Sequence, residues 1–362
     1  MSSPDGHLRV VWHETTRTGG PVVLLHLLRY LRDRTQVQLS MELQTGGPLA
    51  EQVVALAALS AHSPPSALLV NSALAAECAL AYPPGLPAML YVHEDRGALD
   101  VLPNAARRAI IDRYQRVLCV SEQAEQDLIA LGVSPDRLVV LAPVVARRRR
   151  ASSSAVALAR ASIGAGPDDR VVLGCGEASW RKGADHFVAL AHALAGEPDL
   201  RFGWVGLRPR PFARQLDHDV DTLGLAGRLR WLGDVEDTQP LLEAADVLTV
   251  LSRNDPQPLV PVEAALVGTP SVGFAIGGMI DLAADGAALT VPYPDIDGVA
   301  RLVRQVLADQ PFAECLAAAG TARWQRHQAI NVIGPRFADE VGCLLGRGPH
   351  DNRVHGVEQP SR

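Results

Sequence analysis

The sequence predicts an α/β protein built from two Rossmann-like parallel-sheet domains that face each other across a cleft. Three observations carry this. Strand-length apolar runs alternate with segments of helical periodicity from the start of the chain. The alternation breaks near the middle, in a stretch rich in Arg, Ser, Gly and Pro. It then restarts and runs through a second full set. A length of 362 residues accommodates two such units.

In the first set, strands are expected at Arg9–Trp12, Val37–Met41, Ala67–Val70, Ala88–Val92, Val117–Val120 and Leu138–Leu141. The clearest helix is Pro21–Arg34, where Leu24, Leu25, Leu27, Leu28 and Leu31 form a broad apolar face and Pro21 suits a first turn. Ser121–Leu131 is a second, stopped by Gly132. Ala105–Leu118 also reads as a helix, with Arg107, Arg108, Arg113 and Arg116 opposite Ile110, Ile111, Val117 and Leu118. Such a face can dock on a membrane surface, but an ordinary surface helix is the favoured reading because this half of the chain is nearly neutral.

Residues 147–169 read as the domain connection, with a short helix around Val156–Ser162. The first domain is therefore assigned to residues 1–146 and the second to 170–310. Strands of the second are expected at Arg170–Leu173, Phe202–Val205, Leu229–Leu232, Val247–Leu251, Ser271–Phe274 and Leu289–Val291. Its helices are expected at Ala184–Leu194, Gln239–Ala244, Pro261–Val267 and Ile296–Leu307. Further helices should occupy residues 311–345, and residues 346–362 read as a disordered tail.

Composition narrows the function classes. Hydrophobic residues make up 48% and charged residues 20%, as in an ordinary soluble protein. No segment reads as a signal peptide or membrane span. Five scattered cysteines without CxxC spacing argue against a zinc site or a disulfide framework, and fit buried free thiols in a reducing cytoplasm. The net charge of −6 gives no basic face for nucleic acid. The histidines show no metal-binding spacing, so no metal site is expected. Lys182 is the only lysine, in a chain whose other 33 basic residues are arginines. A lone lysine suggests a place where a compact ammonium fits and a wide guanidinium does not.

In open parallel sheets, ligands bind at the loops that leave the carboxyl ends of the strands. The first such loop, His13–Gly20, ends in Gly19-Gly20 at a helix start; it reads equally as an anion-binding loop and as a plain turn. The loop Gly174–Gly183 has Gly174 and Gly176 at a tight turn, then Trp180-Arg181-Lys182-Gly183 before a helix. Two cations beside free helix N–H groups suit a diphosphate. A third loop, Ser252–Val260, runs into Pro261-Val262-Glu263. It places Asp255 at a strand exit and Glu263 in the following helix, eight residues apart.

Together these residues resemble the retaining GT-B glycosyltransferases of glycosyltransferase family 4, the glycosyl transferases group 1 domain. The resemblance spans about Val172 to Val306. It rests on Trp180-Arg181-Lys182-Gly183, Trp204-Val205-Gly206, Leu232-Gly233, Ala245-Asp246-Val247, Ser252 through Ala264, Gly268-Thr269-Pro270-Ser271-Val272 and Gly277-Gly278. The first half is looser, with Gly19-Gly20-Pro21, His93-Glu94 and Val120-Ser121-Glu122.

The resemblance implies roles. Arg181 and Lys182 would hold the donor diphosphate, and Gly176, at the tight turn before them, would also belong to the donor site. The amides of Leu259 and Val260 would reach the phosphates, and Glu263 would bind the ribose. Asp255 would contact the sugar hydroxyls, backbone near Gly233 and Val235 would meet the base, Gly19 and Gly20 would border phosphate and acceptor, and His93 would lie near the reacting sugar. It implies transfer from a nucleotide sugar, UDP- or GDP-type favoured, to a glycan or small-molecule acceptor, with retention, without a metal or other cofactor, and in the cytoplasm.

The chain departs from that pattern in three places. The first glutamate of the family's pair is the shorter Asp255. Gln257-Pro258 replaces an aromatic-glycine pair, and Pro258 has no N–H to offer a phosphate. Asp281 stands where the family has a glutamate after its paired glycines. A non-catalytic nucleotide- or glycan-binding homologue and a GT-B nucleotide-sugar epimerase therefore stay open as alternatives.

Overall fold

The computed structural model describes residues 6–347. It separates into two compact units, one formed by the chain up to Ala146 together with that from His327 onward, the other by Arg147–Arg326. The expected tail lies, from residue 348, outside the described residues.

The first unit holds a six-stranded sheet of β1 (His7–Trp12), β2 (Gln38–Leu43), β3 (Ala67–Asn71), β4 (Ala88–Val92), β5 (Arg116–Cys119) and β6 (Leu138–Val140). Its order is β2-β1-β3-β4-β5-β6 and every pairing is parallel. The central strands β3 and β4 are buried at every position, which is why they read as unbroken apolar runs. Leu24, Leu27, Leu28 and Leu31 of the helix Gly19–Arg34 are buried in this core. The chain's last helix, Ile330–Leu344, packs on that helix: a Cβ on Gly334 would lie 2.7 Å from the Tyr30 ring, so the small residue sets the approach.

The second unit holds β7 (Arg170–Cys175), β8 (Leu200–Val205), β9 (Leu229–Gly233), β10 (Val247–Val250), β11 (Ser271–Phe274) and β12 (Leu289–Val291). This sheet is also wholly parallel, ordered β12-β11-β10-β7-β8-β9. The chain progresses outward from β7 on one side and from β10 on the other. The crevice between their carboxyl ends is therefore the topological switch point, where such sheets bind ligands. Phe187, Phe202 and Trp204 fill the core beneath, with ring centroids 5.3 to 6.1 Å apart.

All twelve expected strands are present, and both sheets are parallel as expected. The cysteines are free but not all buried: Cys119 is buried, Cys78 and Cys175 are half-buried, and Cys315 and Cys343, on the helices Gln310–His327 and Ile330–Leu344, are exposed. One helix is corrected. The segment read as helical over Ala105–Leu118 is helical only at Asn104–Asp112. Tyr114 then turns inward, fully buried, with its hydroxyl donating to the Ala76 carbonyl at 2.6 Å, and β5 begins at Arg116. The arginines there serve the fold: Arg113 donates to the carbonyls of Ala79, Pro83 and Leu86. The segment 147–169 carries a helix, Ser153–Ile163, capped by Ser152 and ended by Gly164, whose Ile163 is fully buried in the second unit. The helix Phe212–Thr222 escapes the sequence reading because only Ala213, Leu216 and Val220 on it are apolar and buried. No helix among the described residues is long and apolar enough to cross a membrane.

Candidate functional site

The loops that leave β7 and β10 lie side by side, because those strands pair directly. The β7 loop is shaped by its glycines. A Cβ on Gly174 would lie 2.3 Å from the Trp204 ring, so only glycine lets the strand end pass over that indole. Gly183, in the left-handed region with φ +72°, starts the helix Ala184–Ala193; a Cβ there would lie 2.0 Å from the Leu251 carbonyl oxygen. The start of the helix is thereby pressed against the exit of β10.

Four contacts then lace the two loops together. The Arg253 amide donates to the Arg181 carbonyl at 2.8 Å. The Arg181 guanidinium donates to the Asn254 carbonyl at 2.9 Å. Arg253 donates to the Trp180 carbonyl at 2.6 Å, with its guanidinium 4.5 Å from the Trp180 ring centroid. The Lys182 ammonium donates to the Asp255 carboxylate at 2.5 Å. The lysine stem runs over Gly176, where a Cβ would sit 3.5 Å from its Cδ and Cε.

Arg253 was not singled out by the sequence reading, and it is the brace of this arrangement. It pairs bidentately with Asp185 at 2.6 and 2.8 Å and donates to His186 Nε2 at 3.0 Å. His186 Nδ1 in turn donates to the Leu251 carbonyl at 3.2 Å, which fixes Nε2 as the acceptor. Burial would raise the Asp185 carboxyl, but the Arg253 guanidinium outweighs it and holds that carboxyl below the ordinary aspartate value. The signal that could have found the pair is an acid in the first turn of the helix that follows the arginine–lysine loop.

Glu263 lies in the first turn of the helix Val260–Val267, half-buried, and its carboxylate accepts no hydrogen bond among the described residues. Burial raises its carboxyl above the ordinary value; the Arg148 charge opposes the shift and Asp237 adds to it. The amides of Leu259 and Val260, at the start of the same helix, likewise donate to nothing among the described residues. An acceptor and two donors are thus held ready beside two cations. Cys175, at the end of β7, feels both Glu263 and Lys182. Burial pushes its thiol up to about 12, which keeps it a neutral wall residue.

Gly233 ends β9 with φ +72°, and its carbonyl accepts the Gly206 amide at 2.8 Å. Val235 follows in a half-buried loop. Two residues further on, Asp237 comes near enough for its charge to act on Glu263. The structure therefore gathers Gly176, Arg181, Lys182, Asp255, Leu259, Val260 and Glu263 at the switch point, with the loop of Gly233 and Val235 approaching from β9.

Gly20 and His93 form a separate cluster in the first unit, with Gly19 exposed at the start of the same helix as Gly20. Gly20 presses on the His93 ring, where a Cβ would lie 3.1 Å from Cδ2. The Tyr91 ring lies 4.2 Å away, centroid to centroid. His93 Nε2 donates to Asn71 Oδ1 at 2.8 Å, so Nδ1 carries the lone pair. Burial lowers the His93 pKa well below its ordinary value; the Glu94 charge opposes the shift without overcoming it, and the ring is neutral at pH 7. The Glu94 carboxylate is held by the Ser72 hydroxyl and by the amides of Ala73 and His93 at 3.0 Å. Ser72 pays for this placement with a φ of +94°, the one positive φ at a non-glycine residue among those described.

Comparisons with known proteins agree with this architecture. Residues 169–309 match the family "Glycosyl transferases group 1". Over 99 residues the chain is 36% identical to the lipopolysaccharide core biosynthesis glycosyltransferase LpsE of Rhizobium meliloti, a stretch covering 27% of this chain and 29% of LpsE. Over 119 residues it is 37% identical to the D-inositol 3-phosphate glycosyltransferase of Geodermatophilus obscurus, covering 31% of this chain and 26% of that one. The chain thus spans under a third of the length of either relative. Among solved structures, Anabaena HepE in complex with UDP-glucose superposes with a TM-score of 0.78 at 18% identity, covering 93% of this chain and all of HepE. WaaG, a glycosyltransferase involved in lipopolysaccharide biosynthesis, superposes with a TM-score of 0.72 at 15% identity, covering 92% and 99%. The fold is that of the GT-B glycosyltransferases.

Proposed function

We propose that this protein is a glycosyltransferase of the retaining, family 4 type, which moves a sugar from a nucleoside-diphosphate donor to an acceptor hydroxyl without a metal. The carrying observation is the set of groups at the β7–β10 switch point: the Arg181 and Lys182 cations, the free amides of Leu259 and Val260, and the unpartnered Glu263 carboxylate. A diphosphate satisfies the first four, and a ribose diol satisfies the last.

As the glycosidic bond breaks, negative charge accumulates on the departing diphosphate. Arg181 and the helix starts at Ala184 and Val260 are fixed in place before that charge develops, so they stabilise the transition state at little reorganisation cost, and Lys182 adds its charge from beside them. Asp255 would receive the donor sugar's hydroxyls. Its carboxylate is tied to Lys182, which does not favour a role as covalent nucleophile. A front-face path, in which a leaving phosphate oxygen takes the acceptor proton, fits this arrangement and would give retention. In the first unit His93 would meet the reacting sugar as a neutral hydrogen-bond acceptor. UDP- or GDP-sugars are the favoured donors, a glycan or small molecule the acceptor, and the cytoplasm the site of action.

A thermal-shift screen against UDP-, GDP-, dTDP- and ADP-sugars tests the donor, because a ligand bound only by the folded chain raises its melting temperature. Transfer assays with the best donor, run with and without a chelator and followed by anomer analysis of the product, test the rest. Binding without transfer to any acceptor would favour a non-catalytic homologue. Conversion of the donor with no acceptor present would point to an epimerase. Absence of binding to all four donor classes would remove the reading.

A further inference from the structure

The pair Lys182–Asp255 puts the diphosphate's cation on a carboxylate of the protein itself. The two side chains are 21% and 10% exposed, so water screens their attraction less than it would at an open surface. Asp255 Oδ2 accepts the ammonium, while Oδ1 accepts nothing among the described residues. The stem of Lys182 is guided over Gly176. The ammonium can swing at the end of that stem, and its three N–H bonds can be shared between partners.

We propose that Asp255 is a positioning residue that withholds Lys182 from the diphosphate until a donor sugar engages the carboxylate. Hydroxyls donating to Asp255, beginning at the unused Oδ1, weaken its hold on the ammonium, which then turns to the phosphates. The proposal rests on the nucleotide-sugar reading above and adds a direction to it. A nucleoside diphosphate with its sugar gains the full grip of Lys182. One without it competes with Asp255 for the same cation. The spent nucleotide is therefore held less tightly than the donor, which favours its release. The shorter aspartate has a consequence here, since its carboxylate lies where the lysine stem, passing Gly176, ends.

Calorimetry with UDP and UDP-glucose, and in parallel with GDP and GDP-mannose, tests this on the full chain and on Asp255→Asn, Lys182→Gln and the double variant. Asp255→Ser serves if the asparagine variant does not fold. The expected result is that Asp255→Asn binds the nucleoside diphosphate about fivefold or more tightly than the native chain and loses the preference for the sugar-bearing form. In the Lys182→Gln background the same change should leave nucleoside diphosphate affinity within about twofold. Because Lys182 is the only lysine, lysine-selective 15N labelling gives one side-chain signal to follow. That signal should move further with UDP-glucose than with UDP in the native chain, and equally with both in Asp255→Asn. Weaker or unchanged diphosphate binding by Asp255→Asn would overturn the proposal. So would a gain that persists undiminished without Lys182, because it would reflect net charge alone. Failure of the native chain to bind these pairs and the dTDP- and ADP-sugars alike would instead overturn the nucleotide-sugar reading.

Discussion

The two units treat charge in opposite ways. At the β7–β10 crevice, ionised side chains are concentrated and held in reach of one another: Arg181, Lys182, Asp255, and the Arg253–Asp185 brace behind them. At the ends of β3 and β4 in the first unit, His93 is kept neutral by burial and its tautomer is fixed by Asn71, while the nearby Glu94 carboxylate is saturated by a hydroxyl and two amides. A diphosphate leaving group needs fixed positive charge. A sugar needs directional hydrogen bonds from groups that do not change protonation. The two chemistries differ because each sheet ends its strands in its own loops; under the proposed function the first suits a diphosphate and the second a sugar.

The largest test of this contrast is Lys182→Ala. Transfer should fall by about 10²- to 10³-fold in kcat, with the melting temperature little changed. Near-native turnover by a folded variant would remove Lys182 from the charged centre. Lys182→Arg should also lose activity, since a wide guanidinium fork does not reproduce the compact ammonium's contact with Asp255.

Next in size is the brace. Arg253→Ala leaves the Asp185 carboxylate without its bidentate partner and frees the Trp180 carbonyl. It should destabilise the chain by about 2 kcal/mol and weaken donor binding. Denaturant unfolding of Arg253→Ala, Asp185→Ala and the double variant checks this; additive losses would show that the pair is not coupled.

The neutral pocket makes a pH prediction. Folding lowers the His93 pKa, so the unfolded chain binds more protons as pH falls below the ordinary histidine value near 6.5. The stability associated with the neutral ring is present above that pH and is lost progressively as the solution is acidified toward the lowered folded value. His93→Gln should flatten this acid limb of the melting temperature between pH 7 and 5. An unchanged limb would show that His93 takes up its proton as readily folded as unfolded.

Glu263→Gln should have the smallest effect on the fold, and in the opposite direction. Burial raises the folded Glu263 pKa, so the charged form opposes folding as pH rises above about 4.5. The neutral isostere should raise the melting temperature at pH 7 by a degree or two, which is under about 1 kcal/mol, while weakening nucleotide binding. A melting temperature that falls would show that Glu263 has a stabilising partner in the fold.

Much of this was legible in the sequence because strands buried on both faces must be apolar throughout. The inner strands stand out for that reason, the half-buried edge strands β2, β9 and β12 by shorter apolar-rich runs, and the loops at their carboxyl ends can be searched for chemistry. Lys182 and Glu263 were readable from loop position and residue type. The helix end at Asp112 was not, because Ile111, Val117 and Leu118 continue an apolar pattern that only the burial of Tyr114 interrupts. Arg253 and Asn71 gave no sign of their roles, since an arginine or asparagine in a loop is ordinarily solvated. The sequence by itself determined the alternating elements, the two sheets and the residue types at each strand end. Tertiary structure alone decided that Lys182 meets Asp255, that Arg253 braces Asp185 and that Asn71 sets the tautomer of His93. Those partners lie 73, 68 and 22 residues apart, and strand order brings them together. Local periodicity records which way a side chain faces but not which strand will become its neighbour.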